Sequence, residues 1–192
     1  NGDKFTDLQV VDTCGKRNTG TSVRFLPDPK YFDSHKVSVT RMRHVLRAKA
    51  VLCPGLTVIF KDEQSAEKDK WFYEDGLRDY LSAATQGWET LPAQPFVGTF
   101  SAESEAADWA VQWLPEGGEV IQESYVNLIP TAQGGTHVNG LRTGLLDALR
   151  EYCEFRSLLQ RGVKLAPDDI WANCSFVLSS KLADPKGQSS GN

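Results

Sequence analysis

The sequence predicts an α+β fold in which a mixed β-sheet carries helices on one face. Two observations predict it. Short strands with alternating apolar residues fill much of the second half of the chain, and a long amphipathic helix follows them before the chain returns to a strand at 175–182. Strands followed by a long helix and a returning strand are typical of a sheet-and-helix layer.

The first residues have the pattern of a β-hairpin. An apolar run at 8–11 is followed by a polar stretch with Gly15 and Gly20 as turn residues, and apolar and polar residues then alternate through 23–25. The proline-rich segment 27–29 ends the second strand, because proline cannot donate to a β-ladder. We therefore expect two strands before residue 27.

The next segment has helix and strand signals in turn. Apolar residues at spacings of three and four predict a helix over 38–52, which Pro54 and Gly55 end. A strand at 56–60, a charged and solvated loop at 61–70, a strand at 71–73 and a short helix at 75–84 follow. The stretch 86–95 has no periodicity, and this predicts a domain boundary near residue 85.

The second half is predicted to contain the main sheet. Strands are expected at 96–100, 109–114 and 119–129, and the Gly134–Gly135 pair precedes the long helix, with Thr136 as its N-cap. The helix has an apolar stripe at steps of three and four residues: Val138, Leu141, Leu145, Leu149, Tyr152 and Phe155. A short helix at 167–172 and a strand at 175–182 complete the fold.

Composition excludes several classes of protein. There are 21 Lys and Arg against 25 Asp and Glu, a net charge of −4, whereas a freestanding nucleic-acid binder would have a basic surplus. No apolar run is long enough for a membrane span, and no signal peptide is visible. The four cysteines, none at metal-ligand spacing, are expected to be small buried hydrophobes with reduced thiols in a cytoplasmic protein: Cys14, Cys53, Cys153 and Cys174.

The most distinctive local motif is Gly134-Gly135-Thr136-His137 at the start of the long helix. A helix N-terminus with glycines can bind an anion or allow close approach of another domain. The alternative is a tight turn with an N-cap, which a bare Gly-Gly-Thr favours, since the spacing of a phosphate-binding loop is missing. His137 has no Cys or His partner at ligand spacing, so a metal site is not expected.

Four cations fall on the predicted helix 38–52, and they could contact a phosphate backbone: Arg41, Arg43, Arg47 and Lys49. An ordinary solvated helix surface is the favoured alternative. From the residues alone, the chain is an α+β protein with one glycine-rich helix start and no complete active site.

Several segments resemble the B subunits of bacterial type IIA topoisomerases, and the topoisomerase IV branch more than gyrase. They occur in family order and cover the chain to about residue 185: 14–21 (CGKRNTGT), 45–55 (VLRAKAVLCPG), 113–119 (WLPEGGE), 124–140 (SYVNLIPTAQGGTHVNG), 144–156 (GLLDALREYCEFR) and 161–165 (RGVKL).

The resemblance implies a domain layout. Residues 1–27 would be the last strands of a GHKL ATP-binding domain, 28–85 a connecting region, 86–184 the core of a transducer domain and 185–192 a disordered tail. The family's transducer has a left-handed βαβ crossover, whereas general rules favour the right-handed form.

The resemblance also implies function. The chain would be part of an ATP-dependent type II DNA topoisomerase, transmitting ATP binding and hydrolysis to DNA strand passage, relaxation and decatenation. The implied partners are DNA, the A subunit of topoisomerase IV and a second copy of the B subunit, with ATP and Mg²⁺ as cofactors of the intact protein. The family's catalytic glutamate and magnesium-binding asparagine would precede residue 1. The chain alone is therefore expected to be inactive and to hold no cofactor.

Residue roles follow from the same resemblance. Thr21 matches a threonine at the edge of the ATP pocket and Val23 an apolar wall position, although Thr21 alone reads as a plain strand residue. The turn Gly134–His137 would lie at an inter-domain face, and the basic helix would line a DNA cavity. The tail 186–192 (KGQSSGN) departs from the family's Gln-Thr-Lys loop, so that loop's nucleotide-sensing role is not assigned to Lys186.

Two other functions remain open on the sequence. The off-pattern tail is consistent with a standalone interaction module of the same fold. An unrelated enzyme could instead use the helix start at Gly134–His137 as an anion site.

Overall fold

The computed structural model describes residues 3–34 and 36–183, and the chain divides into two compact units, Asn1–His44 and Val45–Asn192. The helices are α1 (Val39–Leu52), α2 (Gly76–Ala84), α3 (Thr136–Phe155) and α4 (Pro167–Trp171). The strands are β1 (Val58–Asp62), β2 (Glu67–Trp71), β3 (Leu91–Ser101), β4 (Glu105–Trp113), β5 (Gln122–Val126), β6 (Ile129–Pro130) and β7 (Cys174–Leu182). The proposed tail from residue 185 lies outside the described residues.

The N-terminal hairpin is a wrong prediction, because residues 3–34 contain turns but no strand. The apolar side chains that were expected to face a core are almost fully exposed, at 103% for Leu8 and 77% for Val23. A two-stranded hairpin is marginal in water unless a further layer covers its apolar face. Alternation of residues reports a tendency to extend, and it does not supply that layer.

The charged segment 61–70 is a second correction, since it is largely strand and not a loop. Strands β1 and β2 pair antiparallel from Val58↔Trp71 to Asp62↔Glu67. Most of their residues are exposed or half-buried, so charged side chains are tolerated on this small ribbon. The missing apolar alternation therefore hid a hairpin whose faces are largely solvated.

The main sheet has five strands in the order β3-β4-β7-β5-β6. Strand β4 pairs antiparallel with both β3 and β7, whereas β5 and β7 are parallel. The predicted mixed sheet is confirmed. The parallel pair requires a long crossover, and α3 and α4 lie in that connection.

The predicted strand 119–129 is interrupted. Strand β5 ends at Val126, and Asn127 and Leu128 both have positive φ (48° and 67°) before β6 begins. Two consecutive residues of positive φ are the signature of a tight two-residue hairpin turn. The apolar Leu128 in such a turn disguised it as continuous strand.

Helices cover both faces of the sheet, which corrects the expectation of helices on one face. On β4, Ala110 packs in a cluster with Leu81 of α2, whereas the adjacent Val111 packs in a second cluster with Val138 of α3. Successive strand residues point to opposite faces. The sheet is therefore the middle layer, with α2 and the end of α1 on one side and α3 and α4 on the other.

Helix α3 follows its predicted stripe only part of the way. Val138 is buried, and Leu141 and Leu145 pack against the same cluster, but Tyr152 and Phe155 are 53% and 83% exposed. The stripe continues beyond the sheet that buries its first half. Periodicity therefore located the helix, but it did not show where its tertiary contacts end.

The cysteines fit the prediction in part. All four are free, as expected for reduced thiols, but only Cys174 is buried and Cys14 is exposed. Burial raises the pKa of the Cys174 thiol to about 12. Cys14 lies in the irregular N-terminal segment, and no hydrophobic residue of the described range 3–34 is buried.

Candidate functional site

The double glycine before α3 forms a turn that only glycine adopts easily. Gly134 and Gly135 have φ of +73° and +148°, and Gly134 donates its backbone N–H to the Thr131 carbonyl at 2.9 Å. The N-cap is Gly135 and not Thr136, which is the first helical residue. A Cβ on Gly135 would lie 2.9 Å from Cε1 of His137. Glycine is thus required both by the backbone and by the packing of the imidazole.

His137 ends a chain of polar side chains that ties this turn to strand β5. Its Nε2 lies 3.0 Å from Oγ1 of Thr131, which lies 2.6 Å from Oγ of the buried Ser124. Burial lowers the pKa of His137, so the imidazole is neutral at neutral pH. The hydrogen bond between the neutral His137 imidazole and the Thr131 hydroxyl fixes the turn in place. The arrangement positions the helix start.

A second polar network joins α2 to β5 on the other face of the sheet, and sequence reasoning missed it. Tyr80 and Tyr125 donate hydrogen bonds to the two carboxylate oxygens of Glu123, at 2.7 and 2.9 Å. Burial, followed by the hydrogen bond to Glu123 and the charge of Glu123, raises the pKa of both tyrosines. No spacing rule could have found it, because Tyr80 and Glu123 are far apart in sequence.

The basic residues of α1 do not form one charged face. Residues two positions apart on a helix do not face each other, so neither Arg41 and Arg43 nor Arg47 and Lys49 share a side. Arg47 donates from Nε to the Tyr73 hydroxyl at 3.1 Å, and its guanidinium lies 5.8 Å from the Tyr80 ring centroid.

Lys49 is also engaged within its own unit. Its Nζ donates a hydrogen bond to the backbone carbonyl of Leu128 in the β5–β6 turn. The Asn127 side chain fixes the same turn, because it exchanges two hydrogen bonds with the backbone of Leu182, at 3.0 and 2.9 Å. Arg47 and Lys49 thus dock the end of α1 through partners inside their own unit.

Thr21 and Val23, the residues matched to an ATP pocket, lie in the N-terminal unit. Both are exposed and belong to irregular backbone. The turn at Gly134–His137 belongs to the other compact unit, Val45–Asn192.

A shallow groove of about 420 Å³ runs between α3 and α4. The Arg142 guanidinium lies 5.5 Å from the Trp171 ring centroid and donates to Oε1 of Gln122 at 3.3 Å. Asp168 also lines the groove, so its charge is mixed. Sequence reasoning did not single out these residues, since they come from three separate elements.

Neither a metal centre nor a membrane span is found in the described ranges. Over residues 3–34 and 36–183, no three His, Cys, Asp or Glu side chains cluster as ligands would. Over the same ranges, no helix has the length and apolar character needed to cross a bilayer.

Comparison with known proteins decides the family. The family model described as DNA gyrase B matches residues 76–189, more than half the chain. The chain belongs to the DNA gyrase B family. The match covers α2, the five-stranded sheet, the glycine turn and α3, the elements around which both polar networks are built.

Similar sequences within this family are B subunits of topoisomerase IV. The chain is 63% identical to the B subunit of DNA topoisomerase 4 from Salmonella typhimurium over 186 residues, and 64% identical to that from Pseudomonas aeruginosa over 185. These matches cover 97% and 96% of the chain but 30% and 29% of the relatives. The chain thus spans just under a third of the relatives it matches.

Similar structures come from both branches of the DNA gyrase B family. The topoisomerase IV ATP-binding domain of Francisella tularensis, solved with a small-molecule inhibitor, superposes with a TM-score of 0.77 at 40% identity. This superposition covers 96% of this chain and 50% of the Francisella tularensis chain. The 43K ATPase domain of Thermus thermophilus gyrase B, solved with an aminocoumarin, gives 0.74 at 26% identity, covering 84% and 44%.

Proposed function

We propose that this chain is the segment of a bacterial topoisomerase IV B subunit that transmits ATP binding and hydrolysis to DNA strand passage, and hence to relaxation and decatenation. The observation that carries the proposal is the 63% identity over nearly the whole chain to a topoisomerase IV B subunit. Gyrase B is the alternative parent, and the lower identity of its solved ATPase domain, 26%, disfavours it.

We propose the layout that the family suggests, with residues 1–27 ending a GHKL ATP-binding domain, 28–85 connecting and 86–184 forming the transducer core. The exposed apolar residues Leu8, Val10 and Val11 support the first part of it. Covering them with further strands would remove apolar surface from water, at about 25 cal/mol per Å². Helix α2, which falls within 28–85, packs against the sheet, as a connecting region next to the transducer core would.

A left-handed crossover from β5 through α3 to β7 is part of this proposal. Phe176 donates its N–H to the Ile121 carbonyl, and Ser180 accepts from Asn127, so these residues of β7 turn their backbone groups toward β5. The side chains of Phe176 and Leu178 pack on the α3 side.

Because the residues are L-amino acids, these contacts indicate the handedness of the crossover. In a strand running upward with its side chain toward the viewer, an L-residue points its N–H and C=O to the right. With β7 running upward and α3 nearest the viewer, β5 therefore lies to the right of β7. The chain leaves β5, passes in front of the sheet through α3 and returns to β7 on the left. That sense is left-handed and uncommon.

For nucleotide, we propose that Thr21 and Val23 lie at the edge of the ATP pocket, and that ATP and Mg²⁺ bind only in the intact protein. Thr21 offers one hydroxyl and Val23 one apolar surface, which leaves the phosphates without charge-neutralising groups. Calorimetric titration of the chain with a non-hydrolysable ATP analogue is expected to show no binding at micromolar concentrations. A micromolar dissociation constant would contradict this part of the proposal.

For partners, we propose DNA, the A subunit of topoisomerase IV and a second, ATP-dependent copy of the B subunit, in the bacterial cytoplasm at the nucleoid. Arg41, Arg43, Arg47 and Lys49 are the candidate DNA-facing residues. Arg41 and Arg47 are both exposed, but Arg41 is the favoured one, because Arg47 and Lys49 already bind Tyr73 and the Leu128 carbonyl. The turn Gly134–His137 is the candidate inter-domain surface, since its two glycines leave the backbone open to close approach.

A segment exchange tests the transmitting role. Residues 3–183 of this chain replace the matching segment of the Salmonella typhimurium B subunit, which is then combined with its own A subunit. We expect ATP-dependent decatenation to be retained. A folded chimera that hydrolyses ATP but does not separate linked DNA circles would contradict the proposal.

A further inference from the structure

We propose that the outer edge of strand β3 pairs with β3 of a second copy of this chain, in an antiparallel arrangement centred on Gly98. In the part of the chain that the structure describes, β3 is an edge strand whose only paired neighbour is β4. An edge strand presents unpaired backbone donors and acceptors to any extended chain.

The alternation of hydrogen bonds between β3 and β4 identifies which backbone groups of β3 face away from the sheet. Ala102 donates its N–H to Glu105 at 2.8 Å, in continuation of the register that pairs Ser101 with Ala106. In an antiparallel ladder, alternate residues turn their N–H and C=O toward the partner strand. Phe100, Gly98 and Phe96 therefore face β4. The backbone groups of Ser101, Thr99 and Val97 face away from the sheet.

The second half of this edge, from Phe96 to Ser101, lacks the features that usually prevent pairing. Strand β3, of sequence LPAQPFVGTFS, contains no charged residue, although charged side chains are a common protection of sheet edges. Pro92 and Pro95, together with the register shift between Leu91 and Phe96, disrupt only its first half. The six residues from Phe96 to Ser101 are in regular register and unprotected.

The side chains around Gly98 also suit self-pairing. Phe96 and Phe100 flank Gly98 on one face and are 56% and 48% exposed. The Trp109 ring lies where a Gly98 side chain would be, with Cζ2 2.2 Å from a Cβ built there. These three aromatic side chains form an apolar row along the edge. A free strand edge bordered by exposed aromatic side chains is a surface for another uncharged strand.

A two-fold axis at Gly98 makes the segment complementary to itself. In this arrangement Val97 of each copy lies opposite Thr99 of the other. Each of these two pairs exchanges two backbone hydrogen bonds, which gives four in all. Phe96 then lies opposite Phe100 of the second copy, on both sides of the axis. Aromatic cross-strand pairs are favourable, and no charge is desolvated. The same chain can thus supply the partner strand.

Sedimentation velocity of the full chain without nucleotide, over a range of concentrations, tests the pairing. The chain is expected to dimerise, and Thr99→Lys to weaken the dimer by at least about tenfold, because a lysine on the edge must be desolvated. Thr99→Pro should weaken it similarly, since it removes an outward N–H that β4 does not use. Thr99→Val, which keeps that N–H, is the matched control and should dimerise like the parent chain.

Amide hydrogen exchange locates the interface. The amides of Val97 and Thr99 should become protected as concentration rises, whereas those of β1 and β2 should not. A monomer at all concentrations would overturn the proposal, even if an added β3 peptide bound to the edge. A dimer unaffected by Thr99→Lys would overturn it as well, because its interface would lie elsewhere.

Discussion

Tyr80 of helix α2 and Glu123 of strand β5 are joined by a 2.7 Å hydrogen bond across the interface between helix and sheet. Tyr125 donates to the other oxygen of the same carboxylate, so Glu123 connects the helix to its own strand. The Arg47 guanidinium lies over the Tyr80 ring and brings α1 into the same network. The Glu123 carboxylate thus fixes α2 to the parallel part of the sheet, and α1 joins through the Tyr80 ring.

Tyr80→Phe should lower the free energy of unfolding by about 1 to 2 kcal/mol, because it removes a hydrogen bond to a charged, partly buried acceptor. Urea denaturation followed by circular dichroism measures the change. Tyr152→Phe, at a surface position on α3, is the control and should change stability by less than about 0.5 kcal/mol. Equal effects of the two substitutions would show that the network contributes nothing.

Alkaline pH should destabilise the fold through the same tyrosines. Their pKa values are raised in the folded state, so between about pH 10, the ordinary tyrosine value, and the folded value the unfolded chain loses protons first. Stability is therefore present below about pH 10 and is lost as pH rises. Chemical denaturation at pH 8 and pH 11 should show a smaller difference for the Tyr80→Phe/Tyr125→Phe variant than for the parent chain. An unchanged difference would argue against the buried phenols as its source.

Acid should weaken the glycine turn through His137. Burial lowers the pKa of its imidazole in the folded state, so the unfolded chain binds a proton first as pH falls below about 6.5. Stability from the neutral imidazole is thus present above that pH and is lost below it. His137→Gln should show less loss of stability between pH 7 and pH 5 than the parent chain does. His44→Gln is the matched control, and an equal effect of both would contradict the assignment to His137.

Gly98→Ala should destabilise the sheet by about 1 to 3 kcal/mol, the usual range for overpacking. The reason is that its Cβ would meet the Trp109 ring, with Cε2 2.4 Å away. Gly140→Ala on α3 is the opposite control. Beyond its chain neighbours and the nearby helix backbone, no atom lies within 4 Å of the Cβ position there, and alanine is favoured over glycine in a helix by about 1 kcal/mol. Thermal melts of the two variants should therefore shift in opposite directions.

The fold could be predicted from sequence wherever burial follows a local period. The stripe from Val138 to Leu145 located α3, and the alternation through Trp109, Val111 and Trp113 located β4. The same reasoning failed at 61–70, where a solvated hairpin has no apolar period, and at 8–11, where a period exists without a covering layer. Sequence periodicity also could not show that helices cover both faces of the sheet. The arrangement depends on which residues of β4 and β7 pack against α2 and which pack against α3.

The site was predictable only in its glycine turn. Gly134 and Gly135 are adjacent in sequence, and their positive φ values explain why both are glycine. The Tyr80–Glu123 and Lys49–Leu128 hydrogen bonds join residues that only the tertiary fold brings together. That Arg47 and Lys49 bind Tyr73 and the Leu128 carbonyl was likewise not visible in the sequence, and whether the basic residues of α1 contact DNA stays a prediction.

The most direct test of the transmitting role is the number of DNA links resolved per ATP hydrolysed, measured for the chimeric enzyme with and without Lys49→Met. We predict that the chimera matches the Salmonella typhimurium enzyme. Lys49→Met should lower the ratio without slowing hydrolysis, because α1 loses its hydrogen bond to the Leu128 carbonyl. A chimera that hydrolyses ATP at the normal rate but resolves no links would contradict the transmitting role. An unchanged ratio in the Lys49→Met variant would show that this contact of α1 takes no part in the transmission.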